Sequence, residues 1–107
     1  MSGALLQLAK QAISYTYRGL TACPRGRNVG SQSIKEVIWQ ARNQAVHFEA
    51  GKYDPPVLKC FQQLEADFGP DFSLTSNPRQ NLAERVVTLL DWKSYDDYEK
   101  DMTQLCS

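Results

Sequence analysis

The chain has 107 residues and a mass of 12.1 kDa, enough for one small core and too little for two domains. With 42% hydrophobic and 22% charged residues, and only six Gly and five Pro, the composition excludes a disordered tract and a fibrous repeat. The formal net charge is zero but segregated: residues 1–53 carry seven basic and two acidic side chains (net +5), residues 54–107 five basic and ten acidic (net −5), so a basic half can face phosphate.

The opening "MSGALLQLAKQ" has neither a basic leader nor an adequate apolar run, so no secretory signal or membrane span is expected and a cytoplasmic location follows. Leu5, Leu8, Ala9, Ala12, Ile13, Thr16 and Leu20 recur at three- and four-residue steps, predicting a first amphipathic helix over about Ser2 to Arg18. "GLTACPRGRNVGSQ" follows, broken by three glycines and a proline; it predicts a long loop that exposes Arg25 and Arg27. Its glycines form no phosphate-binding fingerprint, because no strand precedes them.

A second helix starts at "SIKE", where Ser33 and Glu36 have the spacing of a capping box; its apolar stripe is Ile34, Val37, Ile38, Ala41, Ala45 and Phe48, and Gly51 is its expected stop. A third opens on Asp54 and Pro55, buries Val57, Phe61, Leu64 and Phe68, and stops at Gly69. Asn77-Pro78 predicts the start of a fourth with Leu82, Val86, Leu89 and Leu90, and Ser94 that of a fifth with Tyr95, Tyr98, Met102 and Leu105. No alternating strand of useful length is visible. The expected fold is all-α, a single-domain antiparallel bundle of four to five helices over residues 1–107.

The three cysteines, Cys23, Cys60 and Cys106, are widely spaced with one histidine between them all, which predicts reduced thiols and no metal site. Cys60 and Cys106 read as core or boundary residues, while Cys23, in a loop, is the candidate for a reactive thiol, although nothing in the sequence argues for a nucleophile. The acidic run "YDDYEKD" reads as a solvated helix face, or as a patch for a basic partner.

"ARNQAVHFE" places Arg42, Asn43 and the lone His47 inside the second helix. Asn43 and His47, four apart, lie roughly 40° from each other around the axis and share a face; Arg42 and His47 lie roughly 140° apart. They meet only around a cleft or across a two-fold axis, and a pair of histidines for acid–base work requires two subunits. Trp39 and Phe48 flank the motif as core or interface residues.

This stretch resembles the Arg-x(4–6)-His motif of the HEPN superfamily in its R-N-x-x-x-H form, and the order of helix, loop, motif-bearing helix and further helices is similar over nearly the whole chain. The resemblance implies a helical homodimer, a metal-independent endoribonuclease of a toxin–antitoxin or phage-defence system without a cofactor, and a catalytic role for Arg42 and His47 with Asn43 in support. The alternative is a non-catalytic RNA- or nucleotide-binding module partnering a nucleotidyltransferase or another effector. Arg18, Arg25, Arg27 and Lys52 are the expected RNA contacts. Where related toxins carry His-x-Tyr, the residue an antitoxin modifies, this chain has Glu49, and Tyr53 is too far along to replace it. RNA brings its own nucleophile, the 2′-hydroxyl. Cleavage therefore needs a histidine to move a proton and an arginine to hold phosphate oxygens.

Overall fold

The computed structural model describes residues 2–17 and 23–106, which form five α-helices and one small hairpin. The helices are α1 (Ser2–Tyr17), α2 (Ile34–His47), α3 (Pro55–Phe68), α4 (Ala83–Leu89) and α5 (Tyr95–Cys106), with a 3-10 turn at Pro70–Phe72. The helical class matches the periodicity of the apolar residues. The loop ahead of α2 departs from it, because Asn28–Val29 (β1) pairs antiparallel with Gln32–Ser33 (β2). At the turn between them Gly30 has φ +62°, where a Cβ would stand 2.5 Å from the Asp67 carboxylate; that carboxylate accepts hydrogen bonds from Ser31 N (2.9 Å) and Ser31 Oγ (2.7 Å). The hairpin is thereby tied to the end of α3.

α2 packs against α1, α3 and α4, while α1 also packs on α4 and α5. The stripes follow the helical period: Leu6, Ala9 and Ile13 of α1 and Ile34, Val37, Ile38 and Ala41 of α2 are all at most 1% exposed. In α1 the buried leucine is Leu6, whereas Leu8 points outward, so its core face is rotated relative to the predicted one. Val57, Phe61 and Leu64 are buried as expected, and Phe68 and Tyr95 are exposed.

The helix ends follow local chemistry. Ser33 Oγ accepts the Glu36 N–H at 3.4 Å, half of a capping box, while the Glu36 carboxylate turns along the helix to accept from Gln40 Nε2 at 3.5 Å. Asp54 makes no side-chain cap, and Pro55 and Pro56 leave the first turn of α3 with few donors to satisfy. α2 stops at His47, short of Gly51; the Ala50 and Gly51 N–H groups donate back to His47 O and Phe48 O, closing two overlapping four-residue turns.

The fourth helix begins at Ala83, five residues beyond Pro78. Between them the backbone is held by side chains. Gln44, fully buried on α2, donates from Nε2 to Gln80 O (2.6 Å) and accepts the Leu82 N–H on Oε1 (3.0 Å), and Asn81 Oδ1 accepts the Ala83 N–H at 2.9 Å. Gln44 Nε2 also lies 3.2 Å from Tyr53 Oη, which in turn donates to Pro78 O at 3.0 Å. A buried amide that satisfies both a donor and an acceptor of a neighbouring loop is costly to remove, because both backbone groups are then orphaned. Gln44→Leu, close in volume, is expected to cost about 2–4 kcal/mol and to lower the midpoint of thermal unfolding by roughly 10–20 °C. A fall of under about 3 °C in a circular-dichroism melt would show that the loop is held by other contacts.

Candidate functional site

Burial of Gln44 fixes the rotation of α2, and from that the directions of its polar neighbours follow. At 100° per residue, Asn43 and His47 stand on one side of the buried face and Arg42 lies beyond Asn43. Asn43 is the hub. Its Oδ1 accepts from Arg42 Nη1 at 3.1 Å and from Lys10 Nζ at 3.2 Å, and its Nδ2 donates to Gln40 Oε1 at 3.4 Å. Arg42 Nε donates to Gln7 Oε1 at 2.5 Å, and the Lys10 ammonium sits 4.6 Å over the Trp39 ring.

Two cations thus converge on one neutral oxygen. Among the described residues, neither Lys10 nor Arg42 has a carboxylate within ion-pair distance. Burial, and next the Arg42 charge, hold the Lys10 ammonium below its ordinary pKa. An anion bridging the two would relieve both effects.

The structure divides the predicted motif. Arg42 lines an open hollow of about 410 Å³ against α1, with Gln7, Lys10, Gln11, Ser14 and Tyr15. His47, exposed at the end of α2, lines another of about 180 Å³ with Asn43, Lys52, Tyr53, Asp54 and Val57. Asn43 connects the two. Asn43, His47 and Lys52 are therefore brought together in one chain, and Arg42 is joined to them only through Asn43. Tyr53 also lines the His47 hollow, with its hydroxyl engaged by Gln44 and Pro78.

The remaining expected RNA contacts fare differently. Arg18 lies outside the described residues. Arg25 is exposed and lines a third hollow beside Lys35 and Lys59. Arg27, another expected RNA contact, is engaged within the fold: Nε and Nη2 grip the Asp101 carboxylate at 2.9 and 3.0 Å, and Nη2 also donates to Leu90 O at 2.7 Å. Asp101 is further held by Trp92 Nε1 at 2.8 Å. Asp97 accepts from Lys93 N and Ser94 N at the start of α5, so two acids of the "YDDYEKD" run are structural while Asp96, Glu99 and Lys100 face solvent. Cys23 is corrected as well. It is buried, its thiol is pushed up by burial, and Cys60 is pushed up to about 12, so neither is a thiolate near neutrality.

Lys10 and Gln7 were missed by the sequence reading. The signal was the polar series Gln7, Lys10, Gln11, Ser14 at helical spacing, which marks a second, polar stripe of α1 facing Arg42.

Comparison with protein families, curated proteins and solved structures finds no match for this chain.

The Asp101 cluster makes a pH prediction. Burial raises the Asp101 pKa, but the Arg27 and Trp92 hydrogen bonds and the Arg27 charge outweigh it, and the net shift is downward. Such a group stabilises the fold fully above the unfolded carboxyl pKa of about 4, and that contribution is lost as pH falls through the lower folded value. Asp101→Asn should therefore melt below the parent protein by a gap that is constant above about pH 5 and closes on acidification. A gap that persists unchanged to acid pH would mean that the carboxylate charge contributes nothing.

Proposed function

We propose that the edge of α2 formed by Arg42, Asn43 and His47, with Lys10 of α1, binds RNA phosphate and, in a homodimer, is the active site of a metal-independent endoribonuclease of HEPN type. The observation that carries this reading is the convergence of Lys10 and Arg42 on Asn43 Oδ1 with no carboxylate among the described residues within ion-pair distance of either. In the folded state such a pair repels; it is useful when a phosphate completes it.

The chemistry follows from these side chains. A His47 imidazole takes the proton of the 2′-hydroxyl, the 2′-oxygen attacks phosphorus, and the bond to the 5′-oxygen breaks to leave a 2′,3′-cyclic phosphate. A second His47, from the other copy, returns a proton to the departing 5′-oxygen. Arg42 and Lys10 hold the non-bridging oxygens as charge builds on them. The need for a second copy is supported by the separation of Arg42 from His47 in one chain, and by exposed apolar side chains on α1 and α2: Tyr15 at 92%, which lines the Arg42 hollow, Leu8 at 51% and Val46 at 53%. No helix among the described residues is long and apolar enough to cross a membrane.

The same separation favours a second reading, a binding module that holds RNA through Lys10 and Arg42 and cuts nothing. The two readings part in one assay. Purified protein is expected to cleave single-stranded RNA in the presence of a chelator, leaving cyclic phosphate ends, and His47→Ala and Arg42→Ala should each reduce the rate at least ~100-fold without loss of helical content or of the dimer. If the folded parent binds RNA in a salt-dependent way yet cuts none, the binding module is the function; if it does neither, both readings fail.

A further inference from the structure

A hollow of about 760 Å³ opens between the hairpin, the first turn of α2 and the first turns of α3, away from the Lys10–Arg42 edge. Its size is within the range of small-molecule sites, roughly 300–1,000 Å³. Its lining is asymmetric in charge: among the described residues Arg25, Lys35 and Lys59 contribute three cations and Glu36 one carboxylate. Cations gathered in a concavity focus positive potential within it. Pro55 and Pro56 form an apolar wall, and Gln63 adds an amide.

The walls are held in place without a ligand. Gln32 Nε2 donates to Cys60 O at 3.0 Å, Ile34 N donates to Arg27 O at 2.9 Å, and the Lys35 ammonium donates to Cys23 O at 2.6 Å. A preorganised site loses little entropy on binding. The chemistry of the lining then sorts by group. Guanidinium and ammonium suit a phosphate. A carboxylate among them suits neighbouring ribose hydroxyls, which donate to it, and Gln40 engages Glu36 through only Oε1, at 3.5 Å. The proline wall suits the face of a base.

We propose that this hollow binds a nucleoside phosphate, with the phosphate against Arg25, Lys35 and Lys59, the ribose hydroxyls on Glu36, and the base against Pro55 and Pro56. The same chemistry is offered by a free nucleotide and by one nucleotide of an RNA strand. The inference stands apart from the ribonuclease reading, since it uses none of Lys10, Arg42, Asn43 or His47.

The test is calorimetric titration of the full chain with three probes: ADP, a ten-nucleotide oligoadenylate, and inorganic phosphate as competitor. ADP is expected to bind in this hollow. Arg25→Glu and Lys59→Glu, both at exposed positions, should each weaken it at least ~10-fold with an unchanged melting curve, and Lys100→Gln, exposed on α5, should change it by less than about twofold. Glu36→Gln should reduce the preference for ADP over its 2′,3′-dideoxy analogue. Binding of the oligoadenylate but not ADP, with the same sensitivity to Lys59→Glu, assigns the site to an RNA strand. The proposal is overturned if neither probe binds, if Arg25→Glu and Lys59→Glu leave binding unchanged, or if inorganic phosphate competes as well as ADP itself. Oligoadenylate binding lost in Arg42→Gln but kept in Arg25→Glu and Lys59→Glu would sink this site alone and leave the α2 edge as the RNA contact.

Discussion

The Gln44 side chain is the interaction on which the arrangement depends. Apolar packing alone would let α2 rotate by a fraction of a turn at small cost, since its stripe is built of similar aliphatic side chains. A fully buried amide removes that freedom: it must find a donor and an acceptor, and here both belong to the segment leading into α4. Satisfying Gln44 therefore sets the rotation of α2, the path of residues 77–82 and, through Tyr53, the path of the α2–α3 connection. Specificity comes from the polar group and most of the burial energy from the aliphatic residues around it.

Once α2 is fixed, its outward edge is fixed too. Asn43 stands where it can be reached from both sides, and it carries hydrogen bonds from two cations that have no carboxylate within ion-pair distance among the described residues. Local conflict of this kind costs stability, and it persists only when the remainder of the fold holds the groups in place. The cation–π contact with Trp39 and the bond from Arg42 to Gln7 provide that support. Electrostatic preorganisation for an anion and a small loss of stability are then two aspects of one geometry.

The sequence was most informative where one physical rule acted alone. Helix class, the stripes of α2 from Ile34 to Ala41 and of α3 from Val57 to Leu64, the Ser33 cap and the Gly69 stop at the end of α3 follow from period and punctuation and appear in the fold, while Phe68 at the end of the α3 stripe is exposed. It was least informative where a long-range partner decided the outcome. The Asn77-Pro78 start failed because Gln44 holds the following residues out of the helix, and no local signal announces a bond across 36 positions. Nor does any local signal announce that Arg27 is engaged by Asp101, 74 residues away. The short hairpin escaped notice because two residues per strand are too few to show alternation. For the site, Asn43 and His47 were placed correctly on one face, whereas Lys10 was overlooked because it lies on another helix and only the packing of α1 on α2 brings it to Asn43.

The claim that Lys10 and Arg42 form a cationic pair awaiting an anion is tested most directly by the Lys10 ammonium itself. Heteronuclear NMR on protein labelled at the lysine side chains follows its titration. The account predicts a pKa below the ordinary lysine value, a partial return toward that value in Arg42→Gln, and a rise when a single-stranded oligoribonucleotide is added. An ordinary or raised pKa in the free protein, unaltered by Arg42→Gln and by RNA, would contradict it.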